Sequence, residues 1–294
     1  MIPGEPQVVR MNPSPRPDFV ERRLAAGGQR LNAVEGPPNG PPLLLLHGVG
    51  RRWQDYSPFL AAFAARAHVF ALDHRGHGGS DRAARYLVAD YVADVLAVVR
   101  GLPSPVAVVG HSLGALVALG VAAAAPEMVR AVVLEDPPSA GFLDRLGETS
   151  YATQFAAMQS LAGPGRPVGA TARALADIRS PGGVRLGDRR DAAALRFLAR
   201  CLLDLDPAVY TPVLDGRWLD GFDPLAAAAN VRCPALLLVA DTAEGGMLPA
   251  TDADALAAAL PDAARIDLPG VGHLIHGTQP DRFLRTVMNS LDSL

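Results

Sequence analysis

The run Val108-Val109-Gly110-His111-Ser112-Leu113-Gly114, continued by Ala115-Leu116-Val117-Ala118, constrains the fold of this 294-residue chain more than any other. A Val-rich apolar stretch reads as a buried strand, and the Leu/Ala-rich stretch after it reads as a helix. The two are joined by a very tight turn with Ser112 at its apex. Flanking glycines permit the close backbone approach that such a turn demands. A serine held there is strained and points its hydroxyl outward above the sheet. The helix behind it offers free N–H groups and the positive end of a dipole where an oxyanion would form. G-x-S-x-G also has an ordinary reading, in which the serine only caps the helix.

The rest of the chain repeats the strand-helix pattern. Continuous apolar runs at Leu43–His47, Val69–Asp73, Val106–Gly110, Ala131–Glu135, Ala235–Ala240 and Arg265–Leu268 suit strands covered on both faces, as in a parallel sheet. Helical patterns alternate with them at Tyr56–Arg66, Val88–Arg100, Leu113–Ala125, Asp252–Leu260 and Pro280–Leu291. Such alternation predicts an α/β fold with a mostly parallel, doubly wound sheet. Phe19–Ala26 and Arg30–Glu35, joined around Gly27-Gly28, read as a hairpin. From about Pro137 to Asp223 no strand-like run occurs, and helical pieces alternate with turns such as Gly163-Pro164-Gly165 and Pro181-Gly182-Gly183. The expected organisation is an extended Pro-rich arm over 1–18, a core over 19–136 and 224–294, and an inserted helical cap over 137–223. That cap would lie over the C-terminal edge of the sheet, where ligands of such sheets bind.

Composition removes whole classes of chemistry. All 27 basic residues are arginine, so a Schiff-base lysine, a pyridoxal-phosphate anchor and a P-loop lysine are excluded. A net charge of −3 gives no reason to expect nucleic acid or an anionic membrane as partner. Cys201 and Cys233 are too few for a disulfide framework, which suits a reduced, cytoplasmic setting. The first 18 residues hold five prolines and no apolar core of a signal peptide. Nothing in the sequence bears on oligomeric state.

Three further segments carry candidate chemistry. His47-Gly48-Val49-Gly50 ends the first long buried strand, where the glycine lets the Val49 N–H turn toward the site; with the Leu113 N–H it would form a two-donor oxyanion hole. Asp73-His74-Arg75-Gly76-His77-Gly78-Gly79-Ser80 suits a tight loop beside it, and its two histidines lack a matching Cys/His pair for a metal. His273, in Pro269-Gly270-Val271-Gly272-His273, follows the last strand and can reach over Ser112 as general base; His276 competes for that part. The acid that would orient the imidazole has two candidates at strand ends, Glu135 and Asp241.

Together these motifs resemble the α/β-hydrolase fold superfamily over Val20 to Leu291. The shared features are H-G at 47–48, D-x-R-G-H-G-x-S at 73–80, G-H-S-x-G at 110–114 and G-x-G-H at 270–273. The resemblance implies Ser112 as nucleophile, His273 as base, and the Val49 and Leu113 amides as oxyanion hole, with no cofactor and no metal. Family members usually carry the acid a few residues past the penultimate strand, a slot that falls on Ala243, with Asp241 two positions early and Glu244 one late. The segment Ala240-Asp241 through Gly245-Gly246-Met247-Leu248-Pro249 is similar to the haloalkane-dehalogenase branch. Some of its members place a glutamate after the earlier strand, which puts Glu135 ahead of Asp241. A dehalogenase itself is not implied, because that chemistry needs a carboxylate where Ser112 stands.

The expected function is hydrolysis of a small-molecule carboxylic ester, thioester or lactone through an acyl-enzyme. The same superfamily hosts lyases, C–C bond hydrolases, cofactor-free oxygenases and ligand receptors, which remain as alternatives. Trp53, Phe142 and Trp218, with Phe155 and Met158, are candidates to line an apolar pocket, or else cap core. Arginines at 185, 189, 190, 196 and 200 would either meet an acidic substrate or form a solvated helix face.

Overall fold

Eight strands form one sheet in the order β1-β2-β4-β3-β5-β6-β7-β8 in the computed structural model, which describes residues 19–103, 105–179 and 183–293. The Pro-rich arm over 1–18 and the Pro181-Gly182 part of one expected turn lie outside those residues. β1 (Val20–Ala26) and β2 (Gln29–Glu35) are antiparallel, and β2 runs antiparallel to β4 (His68–Leu72). Every other pairing is parallel, joining β3 (Pro42–Leu46), β4, β5 (Val106–His111), β6 (Val129–Glu135), β7 (Ala235–Ala240) and β8 (Ala263–Leu268).

The continuous apolar runs form strands because both sheet faces are covered. Leu44 and Leu46 of β3 enter one core cluster, whereas Leu43 and Leu45 enter the other. The same parity divides Val108 from Val109 on β5 and Leu134 from Val133 on β6, as the two-residue period of a strand requires. One face packs against α1 (Leu60–Ala64) and, after the last strand, against the helix at Pro280–Asp292. The other face meets α2 (Val88–Val99) and α3 (Leu113–Ala124). The helix expected over Tyr56–Arg66 is shorter: Pro58 interrupts it, leaving a 3₁₀ turn at Trp53–Tyr56 before α1.

Between β6 and β7 the chain is helical: α4 (Ala140–Asp144), α5 (Ser150–Leu161), α6 (Val168–Asp177), α7 (Leu186–Arg189), α8 (Ala192–Leu203), α9 (Thr211–Leu214) and α10 (Pro224–Ala228). Among the described residues its β-structure is a single bridge between Arg179 and Arg185. After β7 come α11 (Ala250–Ala259), α12 (Ile275–Thr278) and α13 (Pro280–Asp292). No described helix is long and apolar enough to cross a membrane.

Candidate active site

Ser112 has φ 54° and ψ −116°, and its side chain does not cap α3. The capping alternative therefore does not account for this serine. The turn is as tight as the sequence implies: a Cβ at Gly110 would overlap the Gly114 carbonyl, and one at Gly114 would overlap the Leu46 carbonyl. The Ser112 N–H donates to the carbonyl of Glu135 at 2.9 Å, which ties the turn to the neighbouring strand end. Among the described residues neither the Val49 nor the Leu113 N–H has a backbone acceptor. Leu113 follows Ser112 in the chain, and a Cβ on Gly48, the residue before Val49, would come within 3.2 Å of the Ser112 Cβ.

The segment that carries Val49 is fixed by neutral imidazoles. The His47 Nδ1–H donates to the Gly48 carbonyl at 2.8 Å, and His47 Nε2 accepts the His74 N–H at 3.2 Å. Nε2 of His77 accepts the Gly50 N–H at 3.0 Å, and its Nδ1 donates to the Arg75 carbonyl at 2.9 Å. Burial depresses His74 to about 3 and His77 to about 4, so both rings are neutral where they serve as acceptors or donors. Buried Asp73 accepts from the Trp53 N–H at 2.7 Å, the Gly79 N–H at 2.9 Å and Asn32 Nδ2 at 3.0 Å. The D-H-R-G-H segment thus braces the loop of Val49 from below.

His273 meets a carboxylate, and it is that of Asp136. Its Nδ1 lies 2.6 Å from Asp136 Oδ2. Asp136 is fully buried, has φ 43°, and also accepts the Ala240 N–H at 3.1 Å and the Met247 N–H at 2.8 Å. The ring of His111, the residue before Ser112, lies 4.6 Å from that of His273, and His111 Nε2 donates to the His273 carbonyl at 3.1 Å. Burial holds His111 neutral, and its Nδ1 faces Gly48, where a Cβ would come within 2.7 Å.

Neither expected acid touches His273. Glu135 ends the β6 ladder on the parity of Ala131 and Val133, so its side chain falls on the face of α1 and α13 and accepts from His276. Asp136 continues past the ladder, where its left-handed backbone swings the carboxylate to the imidazole. Asp241 serves its own loop, accepting the Ala243 and Gly270 N–H groups at 2.9 Å each. One signal in the sequence favours Asp136: Pro137-Pro138 follows at once, which forces a turn there.

His276 occupies a separate buried position. Its N–H donates to Glu135 Oε1 at 2.8 Å, its Nδ1 lies 2.8 Å from Glu135 Oε2, and its Nε2 lies 3.3 Å from Asp55 Oδ2. Burial alone would lower its pKa, but the Glu135 and Asp55 carboxylates outweigh that and raise it to about 9. Two carboxylates, one at each ring nitrogen, thus favour its charged form.

The candidate pocket residues separate. Phe142 lines a cleft of about 320 Å³ together with Tyr151, Leu186, Arg185, Arg189 and Gly245. Tyr151 forms one wall, with its ring 6.0 Å from that of His273 and its hydroxyl donating to the Gly245 carbonyl at 2.6 Å. Trp53 follows the Val49 loop, and among the described residues its buried indole N–H has no partner. Trp218 does not line the cleft: it is core, 2% exposed, and its carbonyl accepts the Val88 N–H. Phe155 stacks on Tyr210 at 5.5 Å, and the Tyr210 hydroxyl reaches the sulfur of Met158 at 3.5 Å. Arg196 and Arg200 are solvated on α8.

Residues 43–286 match the family model described as alpha/beta hydrolase family. The chain belongs to that family. A relative from Mesorhizobium japonicum, 2-(acetamidomethylene)succinate hydrolase, is 28% identical over 94% of this chain and 96% of its own length. The pimeloyl-[acyl-carrier protein] methyl ester esterase of Chromobacterium violaceum is 30% identical over 88% of this alpha/beta hydrolase and 98% of its own length. A crystal structure of E-2-(acetamidomethylene)succinate hydrolase superposes with a TM-score of 0.76 at 26% identity, covering 94% of this chain and all of that one. This alpha/beta hydrolase is an enzyme of the hydrolase class.

Proposed function

We propose that the chain is a serine hydrolase cleaving a small-molecule carboxylic ester, thioester or lactone, with Ser112 as nucleophile, His273 as base and Asp136 as the acid. Asp136 holds Nδ1 of His273 protonated, which leaves Nε2 free to accept the Ser112 proton as Oγ attacks the carbonyl. The Val49 and Leu113 amides stabilise the oxyanion of the tetrahedral intermediate. Collapse expels the alcohol, thiol or lactone oxygen, which takes the proton from His273 Nε2. Water then attacks the acyl-enzyme with His273 again as base, and the carboxylic acid leaves. The helical stretch 137–223 acts as the cap, and the cleft beside Tyr151 admits substrate.

The contact of His273 with buried Asp136 is the observation that carries this reading, because an imidazole so oriented is poised to accept a proton. A relative named as a methyl ester esterase lends it support. A fluorophosphonate should add covalently to Ser112 and leave the Ser112→Ala variant unmodified. An intact mass with no adduct on the unaltered enzyme would count against acyl transfer.

A further inference from the structure

Four buried charged side chains that the proposed mechanism does not use run in a line beneath the site. Arg51, two residues past Val49, pairs with Asp55 through both carboxylate oxygens. Asp55 faces Nε2 of His276 at 3.3 Å, and His276 is bonded twice to Glu135. The charges alternate along the line, and all four side chains are at most 12% exposed. Its members sit on the three segments that the proposed chemistry must hold in register. Arg51 precedes the 3₁₀ turn Trp53–Tyr56 and Asp55 lies within it, and His276 is the second residue of α12, three past His273. Glu135 precedes Asp136, and its own carbonyl accepts the Ser112 N–H.

We propose that Arg51, Asp55, His276 and Glu135 are positioning residues, a buried chain of alternating charge that registers the oxyanion loop and the His273 loop about Ser112, and that it does so only while His276 carries both ring protons. The role in catalysis rests on the acyl-transfer reading; the arrangement of protons does not. With both protons present, Nδ1–H donates to Glu135, and the charged ring holds Nε2 3.3 Å from Asp55 Oδ2 as an ion pair rather than an aligned hydrogen bond. Loss of one proton leaves a ring nitrogen lone pair facing a carboxylate, and like partial charges then push the loop of His273 away. The other groups facing this ring do not take over. Tyr56 stacks on it at 5.3 Å, and burial holds its hydroxyl protonated. His111 lies 5.0 Å away and is neutral, and Arg51 is spoken for by Asp55.

The test is the pH dependence of Ser112 labelling by a fluorophosphonate in the unaltered enzyme, Glu135→Gln and Asp55→Asn. It is read beside the imidazole NMR titration of His276. Both variants keep the shape of the side chain, remove one negative charge and turn one acceptor oxygen into an N–H donor. The unaltered enzyme should lose labelling rate above about pH 9, and each variant should lose it at least about one pH unit lower. At neutral pH the folded variants should label about 10- to 100-fold more slowly, since small displacements of reacting groups cost rates of that order. If one variant fails to fold, the other decides. A folded variant that labels within twofold of the unaltered enzyme, with the alkaline limb unmoved, overturns the proposal. Should the unaltered enzyme not label at all, acyl transfer falls and the NMR titration decides alone. A doubly protonated His276 up to about pH 9 that titrates lower in the variants supports the charge chain. Titration near the ordinary histidine value of about 6.5 overturns it.

Discussion

Ser112 and Asp136 stand at the ends of the adjacent strands β5 and β6 and are the two non-glycine residues with positive φ among the described residues. Both conformations cost free energy, of order 1–3 kcal/mol each. The Ser112→Gly variant should therefore be more stable by about 1 kcal/mol, after the entropy lost by a new glycine is subtracted. That corresponds to a rise in Tm of about 2–4 °C, with labelling and turnover abolished. A calorimetric scan showing a lower Tm would remove strain from the account of this turn.

The choice of acid is open to a direct comparison. Asp136→Asn should lower kcat by about 10³- to 10⁴-fold, because the amide no longer selects the Nδ1-protonated tautomer of His273. Asp241→Asn, which touches only the Ala243 and Gly270 amides, should change kcat less than about threefold. Steady-state kinetics on the two purified variants checks both, and the reverse ranking would reinstate Asp241.

Stability should peak close to pH 6.5. His74 and His77 are depressed to about 3 and about 4 in the folded chain, so below their unfolded value near 6.5 the unfolded chain takes up protons that the folded chain refuses. Stability therefore falls as pH drops from about 6.5 toward 4. His276 runs the other way: raised to about 9, its contribution is complete below about 6.5 and is lost as pH rises through 9. That loss amounts to roughly 3 kcal/mol. Asp55 is held well below its usual value by Arg51 and His276 against the cost of burial, so its contribution disappears only in strong acid. Urea denaturation at pH 4.5, 6.5 and 9.5 measures both limbs, and equal midpoints at all three would contradict these ionisations.

A methyl group at Gly114 has nowhere to go, because its position is filled by the Leu46 carbonyl. Gly114→Ala should push α3 and Ser112 off the strand end, with kcat/KM reduced at least about 100-fold and stability lowered by a few kcal/mol, about 1–3 as for other overpacked sites. Activity assays and denaturation of the same preparation measure the two effects. Wild-type kinetics in that variant would mean that the turn has slack which the packing does not show.

Much of this architecture was legible because the apolar runs are continuous and short. Leu43–Leu46 leaves no polar face, which fits only a strand covered on both sides. Gly110 and Gly114 announced the turn at Ser112 by the space they vacate. The carboxylate that meets His273 was not legible for a geometric reason: Glu135 and Asp136 are both carboxylates at the end of one strand, and parity decides which face each serves. That parity follows from where Val133 and Leu134 pack, which one strand cannot disclose. The buried ionic line was hidden as well, since its members come from positions 51, 55, 135 and 276 and meet only in three dimensions. The Asp55–Arg51 spacing looks like any surface pair on a helix.

The two outer margins of the sheet differ from its interior in kind. β1 carries Glu21, Arg22 and Arg23 in the open, and β8 carries Arg265 clasped by Asp254 and Asp267. Any second copy that tried to extend the sheet sideways would have to strip water from those ions for little return. Lateral growth into filaments is thereby disfavoured at both borders, even though the central strands are as apolar as a parallel sheet requires.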